Sequence, residues 1–146
     1  MVWLKKYSKA INDFYRLSLD DKFLIMESWF ELLRVIILLR TPFRVRFFKQ
    51  HGSGQSSGGR DIEILNIKRL LQNAASYHIK HITCLEYAVA LQNILNRRGF
   101  NVKVNIGVKG AGSNFEAHAW IDSGAIKDDW ESHEFTILSR INDNRS

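Results

Sequence analysis

The stretch ITCLEYAVALQNILNRRGF, residues 82–100, predicts a helix whose body and C-terminal end are both defined by the sequence. Its apolar residues recur three and four positions apart and therefore share one helical face: Leu85, Ala88, Leu91 and Leu95. Two arginines occupy the last turn, and Gly99 after them suits the left-handed conformation in which many helices end. We expect the apolar face of this helix to pack against the rest of the protein.

The start of this helix places the single cysteine of the chain at a distinctive position. Thr83 and Glu86 have the spacing of a capping box, which makes Thr83 the N-cap and Cys84 the first helical residue. A thiol there lies beside backbone N–H groups without helical partners, and their partial positive charge favours the thiolate. A lone cysteine is also often a buried structural residue, so this helix alone leaves two interpretations of Cys84 open.

Beyond the helix, apolar residues alternate with a period of two, which predicts strands. The segment VKVNIGV, residues 102–108, places its apolar side chains on one face, and FEAHAWID, residues 115–122, alternates in the same way. The segment KGAGSN between them indicates a turn or loop, and FTIL, residues 135–138, predicts a further short strand. The predicted fold class is α+β, with helices first and an antiparallel sheet after them.

The N-terminal part of the chain predicts a long helix over residues 19–40. Ser18 provides an N-cap, Asp21 makes the first turn acidic, and Pro42 prevents the helix from continuing. The C-terminal half of this helix, residues 29–39, is apolar on nearly every side. Such a helix is either enclosed by the core or presents one face to a partner protein, and the sequence leaves both interpretations open.

A second helix is predicted to begin at Asp61, because apolar residues and one histidine follow at helical spacing: Ile64, Ile67, Leu71, Ala74 and His78. Before it, HGSGQSSGGR, residues 51–60, is rich in glycine and serine and predicts a flexible loop. We therefore predict one domain over residues 1–146. It would consist of a helical N-terminal half, residues 1–50, the loop, and a core with the cysteine, residues 61–146.

Composition restricts the setting of the protein. A chain of 146 residues, 45% of them hydrophobic, can bury a core without disulfides, and a single cysteine excludes an intramolecular one. The N-terminal sequence lacks the apolar segment and cleavage site of a secretory signal, so we expect a cytoplasmic protein. The most apolar run, residues 29–40, is too short and too charged to span a bilayer, and no transmembrane segment is predicted. The net charge of +6 is dispersed among acidic residues and identifies no partner.

The strand histidine His118 is the best candidate for a base that works with Cys84. A thiolate used for acyl transfer needs a base that holds and returns its proton, and a third group that orients the imidazole. The other four histidines lie in the predicted loop, just before the cysteine helix or in an irregular polar stretch: His51, His78, His81 and His133. The small Ala117 and Ala119 leave space beside the His118 ring, although a histidine in a strand is often only structural.

A hairpin register supplies a candidate for the orienting carboxylate. If residues 123–124 form a two-residue turn, His118 faces Asp129 on the next strand, with Cβ atoms about 5 Å apart. A slip of one residue would exchange Asp129 for Asp128. Asp122 shares the strand and the face of His118, but it lies about 13 Å away at the rise of an extended chain and is out of reach.

Two other kinds of site have little support in the sequence. A zinc site would need more ligands than Cys84 and His118, and no paired cysteine or histidine spacing supplies them. The segment TPFRVRFFK, residues 41–49, is only a weak instance of the basic and aromatic pattern that binds nucleic acids. We therefore expect no metal, no cofactor and no nucleic-acid partner.

The order of the parts resembles the transglutaminase-like superfamily of papain-type thiol enzymes: a cysteine that opens a helix, a strand with a histidine, and an aspartate after the next turn. More closely, CLEYAVALQNILNRRGF, NIGV and FEAHAWID resemble the leader peptidases of lasso-peptide biosynthesis, over about residues 17–140. The combination of CLxxAxAL, RRG, GV and FxAHAW in this order is specific, whereas each piece alone would be weak.

The resemblance implies a cysteine peptidase of papain-like α+β architecture that removes the leader from a lasso-peptide precursor. A separate asparagine-synthetase-like cyclase then closes the ring, and some members of the family use ATP. Cys84 would be the nucleophile, His118 the general base and acid, and Asp129 the orienting carboxylate. The chain has no room for a leader-recognition domain and so resembles the split form, whose leader-binding partner is a separate small protein.

The resemblance leaves two questions open. Many relatives have a Pro-aromatic pair before the cysteine, where this chain has HIKHITC, so the side chain that assists the Cys84 N–H at the oxyanion is not identified; His81 is one candidate. The same three residues would also serve an acyltransferase. A non-catalytic peptide-binding or scaffold module, with residues 29–39 as its docking face, is the alternative from another class.

Overall fold

The described part of the chain contains helices followed by strands. The computed structural model describes residues 11–12, 14–41, 60–110, 112–122 and 135–141. The helices are α1 (Leu19–Arg40), α2 (Asp61–Ser76) and α3 (Cys84–Arg97), and the strands are β1 (Lys103–Lys109), β2 (Glu116–Asp122) and β3 (Thr136–Ile141). This order, with all strand pairs antiparallel, confirms the predicted α+β class.

The start of α1 confirms the prediction from the sequence, whereas the end of α2 corrects it. The Ser18 Oγ accepts a hydrogen bond from the Asp21 N–H at 3.1 Å, as expected of an N-cap. The spacing of apolar residues had placed His78 on the face of the second helix, but α2 ends two residues earlier. The N–H groups of Tyr77 and His78 bond to carbonyls three residues back, at 3.3 Å each, so the last turn tightens and the helix stops.

One hydrophobic core joins all three helices to β1 and β2. Its fully enclosed side chains include Leu32 and Val35 of α1 and Leu95 of α3. The apolar α1 therefore lies against the core, but only along one side, because other large apolar side chains of this helix stay exposed. The apolar face predicted for α3 is confirmed by the burial of its Ala88 and Leu91.

The sheet has β1 in the centre, with the strand order β2-β1-β3. Within β2 the side chains alternate as the sequence predicts: Ala119 and Ile121 enter the core beneath α3, and His118 therefore points to the other face. The segment FTIL is confirmed as part of β3, which pairs with β1. The predicted hairpin after β2, with Asp128 and Asp129, lies outside the described residues, as does the predicted loop at 51–59.

Candidate active site

The N-terminus of α3 presents Cys84 to solvent at the end of a fully formed capping box. The Thr83 Oγ accepts a hydrogen bond from the Glu86 N–H at 3.3 Å, and the Thr83 N–H donates to Glu86 Oε2 at 2.9 Å. Cys84 is the first helical residue and its thiol is exposed, so the alternative of a buried structural cysteine is wrong. The sulfur lies where the partial positive charge of the helix N-terminus favours an anion.

Glu86 fixes the approach to α3 as well as its first turn. Besides the Thr83 N–H, its carboxylate accepts a hydrogen bond from Lys80 Nζ at 2.7 Å. Burial alone would raise the pKa of the Glu86 carboxyl, but the hydrogen bonds from Lys80 and Thr83 outweigh it and hold this pKa below its ordinary value. The ionised carboxylate thus ties residues 80–83 to the helix and limits the motion of the chain just before Cys84.

His118 is held by aromatic rings. Its imidazole is nearly parallel to the Trp120 ring, with centroids 6.0 Å apart and planes inclined by 15°, and its centroid lies 5.5 Å from that of Phe135. Trp120 follows two residues later on the same strand face, and Phe135 directly precedes β3. Elements on either side of β1 therefore contribute to the surroundings of this one imidazole.

Gly107 of β1 makes this aromatic arrangement sterically feasible. It pairs directly with His118 across the sheet. A Cβ atom at Gly107 would lie 2.7 Å from Trp120 Cη2 and 2.9 Å from Phe135 Cβ, closer than real side-chain carbons approach. The absence of a side chain at this position therefore lets Trp120 and Phe135 approach the central strand, where both contact the imidazole.

Cys84 and His118 line the same cleft, between the start of α3 and β2. The cleft has a volume of about 570 Å³. Its floor is apolar and includes residues of α3 and β2 that also belong to the core: Ala88, Leu91, Ala119 and Ile121. Trp120 adds an aromatic wall. The two residues that the sequence nominated as nucleophile and base thus line one cleft, and their catalytic roles stay predictions.

A family model for the transglutaminase-like superfamily matches residues 33–140, well over half of the chain. The chain belongs to the transglutaminase-like superfamily. This superfamily includes cysteine peptidases and acyltransferases, and its domains are often cysteine-dependent enzymes. The chain has no significant match to a curated protein or to a solved structure.

The lining of the cleft in this transglutaminase-like domain includes basic side chains, of which Lys80 is paired with Glu86. Its lining contains Lys68 and Lys80 and three histidines but no acidic side chain among the residues that the structure describes. The Tyr87 hydroxyl donates to the Lys68 carbonyl oxygen at 3.2 Å, and burial raises the pKa of Tyr87 to about 12. This neutral hydroxyl joins α2 to α3 beside the cleft. Nothing in the sequence singles out Tyr87, because no local pattern distinguishes a tyrosine that bonds to a distant carbonyl.

His78 contributes to the cleft wall, and its polar atoms are only partly satisfied. Its Nδ1 accepts from the Lys80 N–H at 3.5 Å, and its ring lies 5.0 Å from that of Trp29. Nε2 is buried and has no hydrogen-bond partner among the described residues. Burial lowers the pKa of His78, so the neutral ring is favoured. Because Nε2 is shielded from solvent, His78 supports the loop before Cys84 and does not contact a substrate in this conformation.

His81, the sequence's candidate for an oxyanion donor, lies on the exposed rim of the cleft. Its Nδ1 is 3.1 Å from the Ile82 carbonyl oxygen, so a neutral His81 in this contact has its proton on Nδ1. Nε2 is then an acceptor, and the neutral ring cannot donate from it to an oxyanion. This geometry leaves the backbone N–H groups at the start of α3 as the stronger candidates.

The remaining predictions about the site concern residues or ligands that the structure tests only in part. Asp129 and its alternative Asp128 lie outside the described residues, so the orienting carboxylate stays a prediction. Within the described ranges, no group of three or more histidine, cysteine or acidic side chains has the geometry to hold a metal ion. No helix in those ranges has the length and hydrophobicity needed to cross a bilayer.

Proposed function

We propose that this protein is a cysteine peptidase that removes the leader from a lasso-peptide precursor before a separate cyclase closes the ring. The observation that supports this most directly is the cleft shared by Cys84 and His118, with the thiol exposed at a capped helix N-terminus. Membership of the transglutaminase-like superfamily supports thiol chemistry in general. The leader-peptidase assignment rests on the resemblance of the segments around Cys84 and His118 to that family.

In the proposed reaction the Cys84 thiolate attacks the carbonyl carbon of the leader–core amide. His118 takes the thiol proton and returns it to the departing nitrogen, which releases the core peptide with a free amino terminus. Water then attacks the thioester, again with His118 as base, and frees the leader as a carboxylate. The ring contacts with Trp120 and Phe135 would keep the imidazole plane fixed through both steps.

The N-terminus of α3 supplies donors for the oxyanion that forms when sulfur attacks. Within the part of the chain that the structure describes, neither the Cys84 N–H nor the Leu85 N–H has a hydrogen-bond partner. The next N–H, that of Glu86, is already occupied by Thr83 Oγ. We assign the oxyanion to the Cys84 N–H, with the helix end adding its partial positive charge.

Asp129 is proposed to accept from the imidazole N–H that faces away from the sulfur. This would fix the tautomer of His118 and stabilise the imidazolium formed during attack. Asp129→Asn should slow leader cleavage strongly. A larger loss in Asp128→Asn would show that the strand after β2 is shifted by one residue relative to the predicted register.

The proposed partners follow from the split form of the family. The substrate is a precursor peptide, a separate small protein recognises its leader, and the asparagine-synthetase-like cyclase consumes the released core. The cleft itself would hold a short extended segment around the scissile bond against its apolar floor. Recognition of the remaining leader is assigned to the partner protein.

The decisive test is a cleavage assay, read by mass spectrometry, on a lasso-precursor peptide in the presence of a leader-recognition protein. Cys84→Ala and His118→Ala should each lower the rate at least about 1,000-fold, because both residues act in the same chemical step. Asn73→Ala is a matched control, since Asn73 is exposed on α2 and does not line the cleft. It should cleave at the wild-type rate.

Thermal unfolding of the same variants separates chemistry from folding. Cys84 is exposed, so Cys84→Ala should keep the wild-type melting temperature while its activity disappears. A Cys84→Ala protein that still releases the core would overturn the peptidase proposal. So would a folded wild-type protein whose Cys84 resists iodoacetamide at neutral pH, an outcome that favours a binding module.

An acyltransferase is the second candidate, because the superfamily contains such enzymes alongside peptidases. The same thioester would then react with an amine in place of water. Product masses distinguish the two reactions: hydrolysis adds the mass of water across the cut bond, whereas acyl transfer yields an amide adduct of the leader fragment.

A further inference from the structure

Helix α1 has a second apolar face, which the core does not cover. Five large apolar side chains on this face are more than half exposed: Leu19 at 72%, Phe23 at 70%, Met26 at 51%, Phe30 at 59% and Ile37 at 55%. Leu33, on the same side of the helix, is half-buried. A row of this size on a soluble protein is typical of an interaction surface.

The spacing of this row indicates what kind of surface covers it. Its residues follow one another at intervals of four, three, four, three and four, and we call them the α1 seam: Leu19, Phe23, Met26, Phe30, Leu33 and Ile37. This period of 3.5 is that of a coiled-coil interface, so the fitting partner is another helix. The seam is about 27 Å long at the rise of an α-helix. The N-cap at Ser18 ends the seam before Leu19, and Arg40 occupies the next heptad position after Ile37 and ends it there.

The seam is complementary to itself when two copies run antiparallel. Its six members then form three kinds of layer, placed symmetrically about residue 28: Leu19 against Ile37, Phe23 against Leu33, and Met26 against Phe30 of the second copy. Every phenylalanine faces an aliphatic or thioether side chain, so no layer opposes two large rings. An interface between two identical helices requires that the seam match itself in this way, whereas binding to a partner of unrelated sequence does not require it.

The charges beside the seam fit the same arrangement. In the antiparallel register Asp20 of one copy lies beside Arg34 of the other, which pairs opposite charges at both ends of the interface. Glu27 lies near the twofold axis and meets its own copy. Its negative charge is already compensated within the protein, because both Arg97 and Arg98 form ion pairs with it. The repulsion between the two Glu27 side chains at the twofold axis is thereby weakened.

We propose that the protein forms a twofold dimer in which the α1 seams of two copies pack antiparallel. The inference is independent of the proposed chemistry, since it uses residues of α1 that do not line the cleft. A second copy fits better than a membrane surface, because the antiparallel match of the seam residues and the pairing of Asp20 with Arg34 are features that a bilayer does not require.

Sedimentation equilibrium across a concentration series tests the dimer directly. The wild type should associate reversibly to a dimer, and Met26→Lys should raise the dissociation constant at least about 100-fold, because it places a charge in the central layer. At concentrations where the wild type is also monomeric, the melting temperature of the variant should stay close to that of the wild type, since Met26 is half exposed. Ile62→Lys is the matched control: Ile62 is 81% exposed on α2, outside the seam, and should leave dimerisation unchanged.

A charge exchange tests the register. Asp20→Arg or Arg34→Asp alone should raise the dissociation constant by roughly 3- to 10-fold at low ionic strength, and the double variant should recover most of the loss. Arg34 also contacts Glu31 at 3.4 Å in the same chain, so recovery by the double variant, and not the single loss, is the informative result. A double variant weaker than both singles would overturn the register.

Disulfide trapping tests the orientation of the two helices, in a Cys84→Ser background. Leu19→Cys and Ile37→Cys proteins should each stay uncrosslinked alone and should form a disulfide-linked dimer when mixed, because only antiparallel helices bring these positions together. Crosslinking of each variant with itself would overturn the antiparallel arrangement. A wild type that remains monomeric at high concentration, or whose seam instead binds lipid vesicles or a different protein, would overturn the dimer.

Discussion

The thiol and the imidazole of the cleft are positioned by different kinds of contact. Around Cys84 the contacts are hydrogen bonds and an ion pair of 2.7 to 3.3 Å, made by Lys80, Thr83 and Glu86. Around His118 the contacts are with the rings of Phe135 and Trp120, whose centroids lie 5.5 and 6.0 Å from that of the imidazole. No hydrogen bond to the imidazole comes from the described residues. Directional bonds fix the backbone turn that carries the sulfur, whereas the imidazole is surrounded by aromatic rings.

This difference has a functional consequence. A nucleophile that attacks one carbon from one direction gains from a rigid polar frame, because small displacements of the attacking atom strongly reduce the rate. A base that exchanges protons with two partners gains from an environment that fixes its plane but leaves its nitrogens free. We call Gly107, Trp120 and Phe135 the aromatic frame, and Lys80, Thr83 and Glu86 the polar frame. We expect substitutions that add or remove volume to disturb the aromatic frame, and loss of the cap or a change in pH to disturb the polar frame.

The largest effect is expected from crowding the aromatic frame. Gly107→Ala places a methyl group within 3 Å of both Trp120 and Phe135, and such overpacking typically lowers the free energy of unfolding by about 1–3 kcal/mol. Leader cleavage should fall roughly 10- to 100-fold because the imidazole shifts with Trp120. Denaturant unfolding and the cleavage rate measure the two effects.

A double-mutant cycle identifies the cause of that loss. In a Trp120→Ala background the free-energy penalty of Gly107→Ala should shrink by more than half, because the closest contact has been removed. If Gly107→Ala lowered the free energy of unfolding equally in both backgrounds, Trp120 would not transmit the strain to His118. The proposed role of Gly107 in the aromatic frame would then be wrong.

A smaller effect is expected from removing the cap of α3. Thr83→Ala loses the hydroxyl that accepts from the Glu86 N–H and should lower the free energy of unfolding by about 0.5–2 kcal/mol. Thr83→Ser keeps the hydroxyl and should remain close to the wild type. Urea denaturation of the three proteins gives the comparison, and an equal loss in Thr83→Ser would show that the methyl group, not the cap, stabilises this turn.

The smallest effect is a shift in pH dependence within the polar frame. The pKa of Glu86 in the folded protein lies below its ordinary value of 4.5, so its stabilising contribution is complete above that pH. The contribution is lost as the pH falls through the folded-state value. Lys80→Gln removes a hydrogen bond that lowers this pKa, so the folded-state pKa moves closer to 4.5 and the acid-side loss of unfolding free energy should be smaller than in the wild type.

Lys68→Gln is the matched control for this shift, since Lys68 lines the same cleft but does not contact Glu86. Its profile of unfolding free energy against pH should follow that of the wild type below neutrality. An unchanged profile in Lys80→Gln would show that Thr83 alone holds the Glu86 carboxylate in its ionised form.

Prediction from the sequence succeeded where contacts join residues close along the chain. The capping box of α3, the cap at Ser18 and the alternation within β2 all depend on positions two to three residues apart, and all are confirmed. The end of α2 was misplaced, because helical spacing continues to His78 although the backbone does not. A periodic pattern reports which face a residue would take, not whether the helix reaches it.

The central position of β1 and the role of Gly107 were not predictable from local patterns. A glycine in a strand is usually destabilising, and only the approach of Trp120 from β2 and Phe135 from the start of β3 explains it. The contact of Tyr87 with the Lys68 carbonyl joins two helices, and that of His78 with Trp29 joins the segment after α2 to α1, so both depend on packing between distant parts of the chain.

The sequence by itself determined that the lone thiol opens a capped helix and that a histidine follows on a strand, because backbone geometry links residues within one or two turns. Only the tertiary structure decided that both residues line one cleft and that α1 is buried on one face alone. Those outcomes depend on how helices and strands pack across long stretches of chain, and packing is selected by the fit of whole surfaces rather than by local spacing.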